Sequence, residues 1–269
     1  ATATLHPRRV VLEPDYLVSV TTVAECLQRG TWQGLDAAEL AAIMRTLAPE
    51  EIGDLMGISP DLAELNAQRW ASFTTPFTPA DARPALWTFD GDVYRGMAAR
   101  ERFDARDLTE AQKTVRILSG LYGLLRPLDL IQPYRLEMGT RLTTPRGGSL
   151  YAWWGDRITQ AVAADLADSP GPAAVVDLAS AEYSGAVDLV ALGARVVTPR
   201  FEDRARSGAW QVVSFHAKRA RGEMAAWLVQ HRVRSVRALQ DFDGAGYRYV
   251  AAESRPDVPV FRRHAPVVG

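Results

Sequence analysis

Apolar residues recur three or four positions apart through much of the first half of the chain, which is the spacing of one face of an α-helix. Asp36 stands where a polar residue caps a helix, and Pro49 and Pro60 stand where a proline begins one. The predicted helices cover residues 36–47, 50–57, 60–70, 109–118, 156–166 and 218–232.

Strand-like patterns are concentrated in the second half of the chain. Residues 173–178 are mostly apolar, which is typical of a buried strand, and Ser207-Gly208 predicts a hairpin between two further strands. The predicted strands cover residues 9–12, 16–20, 85–89, 173–178, 195–201, 210–215, 247–250 and 258–262. This mixture favours an α+β fold over a doubly wound parallel sheet. Because no low-complexity linker interrupts the chain, we expect one domain over residues 1–269, helix-rich first and strand-rich afterwards.

Charge is unevenly distributed, although the formal net charge is only −1. Residues 33–112 carry seven Arg against fourteen Asp and Glu, whereas residues 200–237 carry nine Lys and Arg against three acids. The near-neutral total argues against binding of nucleic acid by bulk charge alone. The basic second half either presents a basic face to a partner or is an ordinary solvated surface.

Several classes of chemistry have no support in the sequence. No stretch reaches the roughly 20 apolar residues that span a bilayer, and a single cysteine, Cys26, cannot form an internal disulfide. We therefore expect a reducing, cytoplasmic compartment. The four histidines lack the spacing of a metal site, and no phosphate-binding or dinucleotide glycine loop is present. We expect neither a metal nor a cofactor.

Six short segments combine glycine, aromatic and charged residues in an unusual way. They are Phe89-Asp-Gly-Asp-Val-Tyr94, the run from Leu118 through Ser-Gly-Leu-Tyr-Gly to Met138, Tyr151-Ala-Trp-Trp-Gly-Asp156, Leu178-Ala-Ser-Ala-Glu-Tyr183, Ser214-Phe-His-Ala-Lys-Arg-Ala-Arg-Gly222 and Phe242-Asp-Gly-Ala-Gly-Tyr247. In this order they resemble the signature of the YaaA family of peroxide-stress proteins, over about residues 36–264. The family's N-terminal Ser-Pro-Ala-Lys-Thr loop is not found in residues 1–35.

This resemblance implies a cytoplasmic protein that limits damage during peroxide stress by lowering free iron. It also implies that the protein binds double-stranded DNA through a helix-hairpin-helix-like element and a basic cleft. We carry these properties forward as expectations for this chain.

The glycine pair Gly120 and Gly123 is the expected centre of that element. Two glycines can form a tight turn between helices, whose backbone N–H groups would hold a phosphate oxygen while Arg126 adds charge. The spacing is looser than the standard turn of this type. The alternative is that both glycines serve helix packing.

Polar residues near two other turns suggest a pocket. Glu182 and Tyr183 follow a buried strand, and Tyr134 and Arg135 lie in the signature run. Glu182, Tyr183 and Lys218 are candidate catalytic residues, with Glu182 as a general base if its pKa is raised. The alternative is a structural ion pair between Glu182 and Lys218 or Arg219.

The densest basic cluster is the strongest candidate for phosphate contacts. It contains Arg200, Arg204, Arg206, His216, Lys218, Arg219 and Arg221. Two functions therefore remain open. One is a non-catalytic stress protein that binds DNA through this cluster and the glycine turn. The other is an enzyme acting on a small phosphorylated or nucleotide-like molecule in a pocket lined by the residues Tyr134, Arg135, Glu182, Tyr183, Lys218 and Arg219.

Overall fold

The computed structural model describes the backbone of residues 31–169 and 173–264, and the side chains from residue 36 onward within these ranges. The strands predicted at 9–12 and 16–20 lie outside the described residues. Eleven α-helices and several small sheets make up the described part, which confirms the α+β class.

Three helices open the described chain: α1 (Thr31–Arg45), α2 (Pro49–Met56) and α3 (Pro60–Ser72). The prolines at the first turns of α2 and α3 confirm the predicted starts, because a proline there loses no helical hydrogen bond. The Glu51 carboxylate accepts a hydrogen bond from the Ala48 N–H at 2.7 Å, which caps α2. Helix α1 begins before Asp36, so the prediction that Asp36 caps it is wrong.

A short helix, α4 (Ala85–Thr88), replaces the strand predicted at 85–89. Three further helices follow it: α5 (Asp92–Met97), α6 (Ala99–Arg102) and α7 (Ala105–Thr114). The Phe89 N–H donates to the Ala85 carbonyl, which closes a helical turn where the apolar pattern indicated a strand. Asp104, rather than Thr109, caps α7 by accepting a hydrogen bond from the Asp107 N–H at 2.8 Å.

The signature run forms a hairpin of strands. Strands β2 (Ile117–Ser119) and β3 (Gly123–Leu125) pair antiparallel, and β1 (Arg83–Pro84) pairs with β4 (Leu130–Ile131). The prediction that Gly120 and Gly123 join two helices is therefore wrong. Val115 and Leu118 continue the helical spacing of the preceding segment, but Val115 follows the end of α7 and Leu118 lies in strand β2.

The second half holds two further sheets. It begins with two helices, α8 (Leu150–Trp154) and α9 (Arg157–Ala167). Strand β5 (Ala174–Val176), helix α10 (Ala181–Ser184) and strand β6 (Arg195–Val197) follow in that order. Strands β5 and β6 pair in parallel. A four-stranded sheet has the order β8-β7-β10-β9, built from β7 (Arg200–Arg204), β8 (Trp210–Gln211), β9 (Arg248–Tyr249) and β10 (Val260–Arg263). The antiparallel β7–β8 hairpin confirms the turn predicted at Ser207-Gly208.

Helix α11 (Ser214–Gln230) connects the two halves of the molecule. Its Ala217 and Met224 pack with Phe201 and Phe261 in the core beneath the four-stranded sheet, while Ala226 packs with Phe103 and the α4–α7 helices. It starts four residues before the predicted Lys218, so Lys218 lies on its second turn. These contacts support the single-domain organisation, which stays a prediction.

Candidate phosphate-binding site

The glycine turn is a packing feature. Gly120 and Gly123 are buried. A Cβ atom at Gly120 would lie 2.3 Å from the Leu136 carbonyl oxygen, and one at Gly123 would lie 2.9 Å from the Trp154 ring. Gly123 also has φ +71°, which favours glycine. Within the described part of the chain both residues are covered, and they pack against the Leu136 backbone and the Trp154 ring rather than between two helices.

The arginines within and just before the signature run form ion pairs with acidic residues. Arg126 and Arg116 both bond to the carboxylate of Asp165, and all three side chains are mostly buried. Burial would raise the pKa of Asp165, but the hydrogen bonds from the two arginines outweigh it and the pKa is lowered. Arg135 is exposed and pairs with Glu137 at 2.7 Å.

The four-stranded sheet divides the predicted basic cluster. Side chains alternate between the two faces of a strand, and Phe201 points to the face that packs against α11. Arg200 and Glu202 therefore lie on the opposite face, where Glu202 pairs with Arg200 at 2.8 Å and with Arg262 at 2.8 Å. The expectation that Arg200 shares one charged surface with α11 is not met.

Lys218 and Arg219 are the exposed cations of α11. Neither side chain forms an ion pair with another residue in the described ranges. The Arg219 guanidinium lies 5.1 Å from the centre of the Phe215 ring, and Phe215 is itself 48% exposed. Two free charges beside an exposed aromatic ring are thus available to a ligand from solvent.

Arg221 is partly buried on the same helix, three residues after Lys218. Burial lowers the pKa of its guanidinium, and the nearby carboxylate of Asp177 opposes this shift. The Asp177 oxygens accept hydrogen bonds from the Ser184 hydroxyl at 2.9 Å and the Ala179 N–H at 3.0 Å. Within the described part of the chain, the Arg221 side chain makes no hydrogen bond or ion pair of its own.

Glu182 does not fit the role of a buried base. It is exposed, and its Oε1 accepts a hydrogen bond from the Gly139 N–H at 2.8 Å. Among the described residues it forms no ion pair with Lys218 or Arg219, so the alternative of a structural ion pair is not met either. The backbone carbonyl of Glu182 accepts a hydrogen bond from the Tyr151 hydroxyl at 2.7 Å. Glu182 therefore attaches α10 to the signature run.

Buried phenols lie beside this attachment. The Tyr134 hydroxyl is 2.6 Å from the Ser119 hydroxyl, and the Tyr94 ring stacks on Phe89 with ring centres 5.2 Å apart. Burial raises the pKa of Tyr134 well above its ordinary value and raises the pKa of Tyr183 to about 12. Burial, and after it the charge of Tyr183, raises the pKa of Tyr94, so the two phenols lie near each other.

Tyr94 of α5 lies near Tyr183, Asp177 lies near Arg221, and α11 packs closely against α5, so α5, the segment 177–184 and α11 meet at one place. We call it the α11 cleft and define it by the residues Tyr94, Asp177, Tyr183, Lys218 and Arg221. Sequence reasoning missed Asp177 and the role of Tyr94. A polar residue directly after the apolar run of β5 was a usable signal for Asp177, because polar groups gather at the carboxyl ends of parallel strands.

Comparison with known proteins decides the family. Residues 24–253 match the model of a family described as peroxide stress protein YaaA. The chain belongs to the YaaA family. Relatives include a UPF0246 protein of Burkholderia pseudomallei (strain 668), 53% identical, and a UPF0246 protein of Cellvibrio japonicus (strain Ueda107), 50% identical. Each alignment covers 231 residues, 86% of this chain and 88% of the relative.

The YaaA match spans every residue of the α11 cleft. In residues 31–169 and 173–264 no helix is long and apolar enough to cross a membrane. The same residues contain no group of three or more His, Cys, Asp or Glu side chains arranged to hold a metal ion.

Because several tyrosine side chains of this protein are buried, we expect its free energy of unfolding to fall at alkaline pH. The unfolded chain releases tyrosine protons near pH 10, whereas folded Tyr183 holds its proton to about pH 12 and Tyr94, Tyr122 and Tyr134 also have raised pKa values. Above pH ~10 the unfolded state therefore binds fewer protons than the folded state, and the free energy of unfolding falls as pH rises. Urea unfolding between about pH 8 and pH 11 measures this.

Because the chain has only two lysines, most of the protons that side chains release in this pH range come from tyrosines. Tyr183→Phe is the matched variant, and its free energy of unfolding should fall less steeply with pH than that of the wild type. A wild-type free energy of unfolding that does not change over this range would contradict the burial of these phenols.

Proposed function

We propose that this protein acts in the response to peroxide stress by binding duplex DNA through phosphate contacts from α11. Membership of the YaaA family supports the peroxide-stress role. The observation that carries the DNA contact is the exposure of Lys218 and Arg219 without ion pairs in the described structure, whereas arginines such as Arg126 are held by carboxylates.

The chemistry of α11 suits a contact with the DNA backbone. Lys218 supplies a compact charge, and Arg219 supplies a planar fork that can bond two phosphate oxygens. Exposed cations of this kind contact phosphates and so bind with little sequence preference. The buried glycine turn takes no part in the proposed interaction, which rests on the helix alone.

Fluorescence anisotropy with a labelled duplex at several salt concentrations tests this proposal. The double variant Lys218→Ala, Arg219→Ala should weaken binding to all duplex sequences and reduce the slope of log affinity against log salt by roughly two units. Its melting temperature should stay close to that of the wild type, because both side chains are exposed.

The matched control removes two exposed charges elsewhere. Arg237 and Arg255 are exposed, and neither forms an ion pair in the part of the chain that the structure describes. The variant Arg237→Ala, Arg255→Ala has the same net charge as the α11 variant and should bind duplex DNA much as the wild type does. Equal binding by all three proteins would refute the α11 contact.

The second candidate function is action on a small phosphorylated molecule, and the position of Arg221 favours it. A partly buried guanidinium in a cleft is more accessible to a small ligand than to the backbone of an intact duplex. Weak duplex binding by the wild type, together with tight binding of a small phosphate ester that the Lys218 and Arg219 changes abolish, would favour this second function.

A further inference from the structure

We infer that Arg221 and Lys218 form a binding site for a phosphomonoester, the singly esterified phosphate found at a DNA strand end or on a free nucleotide. This rests on the proposed function, because it specifies which kind of phosphate α11 takes most tightly.

The two side chains project from the same side of α11. Residues three apart lie on the same side of a helix, so Lys218 and Arg221 share one face of α11. Gly222 packs against Val93 of α5 on one border of this face. Ala217 packs into the same core as Leu178, the residue after Asp177, on the other border. The face that carries both cations therefore looks into the cleft between α5 and the segment 177–184.

Arg221 has hydrogen-bond donors that no residue in the described ranges uses. A guanidinium has five N–H donors, and a partly buried one without hydrogen bonds has lost water without full compensation. Asp177 is near and accepts hydrogen bonds from the Ser184 hydroxyl and the Ala179 N–H, but within the described ranges it forms no hydrogen bond or ion pair with Arg221. An anion with several oxygens would satisfy Arg221 without displacing these bonds.

A phosphomonoester matches these two cations better than a backbone phosphodiester does. A phosphomonoester carries a charge of about −1.5 to −2 and three terminal oxygens, whereas a backbone phosphodiester carries one charge and two such oxygens. A terminal phosphate also projects from its carrier and can enter a cleft. Lys218 at the cleft edge and Arg221 inside it together match the greater charge of the monoester.

DNA hairpins with one open end provide the test. One hairpin carries a 5′-phosphate at that end, and the other, of identical sequence, carries a 5′-hydroxyl. We expect the wild type to bind the phosphorylated hairpin roughly tenfold more tightly, the effect of about one charge-assisted hydrogen-bonded pair. Arg221→Gln should remove this preference while retaining binding of the hydroxyl hairpin. Arg221→Lys should restore part of it, since charge remains but the planar fork is lost.

Calorimetry with adenosine 5′-monophosphate and inorganic phosphate distinguishes the possible ligands. A DNA-end preference that depends on Arg221 supports a strand end as ligand. Equal hairpin binding, with adenosine 5′-monophosphate binding that depends on Arg221, supports a free phosphomonoester. Equal hairpin binding and no binding of either small phosphate overturns the inference. If no DNA binds at all, the proposed DNA function fails, and calorimetry alone decides the phosphomonoester site.

Arg237→Gln is the matched control, because it removes an exposed arginine outside the cleft. It should keep the wild-type preference for the phosphorylated hairpin. Melting temperatures of all variants accompany the binding data. A loss of the preference in Arg237→Gln equal to that in Arg221→Gln would assign the effect to net charge and overturn the site.

Discussion

Replacing Gly222 by alanine is expected to destabilise the protein by about 3 kcal/mol or more, enough to lower its melting temperature by roughly 6–12 °C. A Cβ atom at this position would lie 1.8 Å from the Val93 carbonyl oxygen and 2.6 Å from the Met97 backbone nitrogen. Both atoms belong to the α5 backbone, so no side-chain rotation can make room. The helices α5 and α11 must move apart, and the core that holds Ala226 and Met97 loses its packing.

Gly53→Ala is the matched control, with the same substitution at a helical glycine. There the new Cβ would lie 3.6 Å from the Ala63 Cβ, an ordinary contact distance. Alanine is favoured over glycine within a helix by about 0.5–1 kcal/mol, so this variant should be as stable as the wild type or more so. Chemical denaturation of both variants measures the difference. Equal stability of Gly222→Ala and the wild type would rule out the close crossing of α5 and α11.

Removing the carboxylate of Asp203 is the second change with a large expected effect. Asp203 accepts hydrogen bonds from Arg263 Nε at 2.8 Å and from the Tyr247 hydroxyl at 2.8 Å, and His216 Nδ1 lies 3.4 Å away. Asp203 and Arg263 are both buried. Asp203→Ala leaves a buried arginine without a counter-charge, and we expect a loss of about 3–5 kcal/mol in the free energy of unfolding.

An exposed acid near the same sheet provides the comparison. Glu253 pairs with Arg262 at 3.1 Å, but its side chain is 50% exposed and Arg262 keeps its bond to buried Glu202. Glu253→Ala should therefore change stability by less than about 1 kcal/mol. Urea denaturation of the two variants tests the pair. Equal small losses would mean that water reaches Asp203 and Arg263 in the folded state.

The elements predicted correctly from the sequence are those that depend on interactions between residues close together in the chain. The prolines that open α2 and α3, the apolar face of α9 and the Ser207-Gly208 turn all depend on residues within a few positions. The strands β2 and β3 escaped prediction because their pairing and burial depend on distant residues. Trp154, which packs against Gly123 and bonds to the Gly120 carbonyl, is 31 or more positions away.

The sequence identified cationic residues of the candidate site, but not how they are arranged in space. Lys218, Arg219 and Arg221 were visible in the sequence as a basic cluster. The separation of Arg200 from them depends on which face of β7 packs against α11, and a charge count does not contain that information. Asp177 and Tyr94 join the cleft only through the crossing of α5 with α11 and the attachment of α10.

The order of strands in the four-stranded sheet has a consequence for synthesis of the protein. Strand β10 lies between β7 and β9 and pairs with both, although it follows β7 by more than fifty residues. During synthesis on the ribosome, one edge of β7 has no partner strand until residues 260–263 have emerged. We expect the nascent chain to expose this edge, together with Phe201, to chaperones until β10 inserts and completes the sheet.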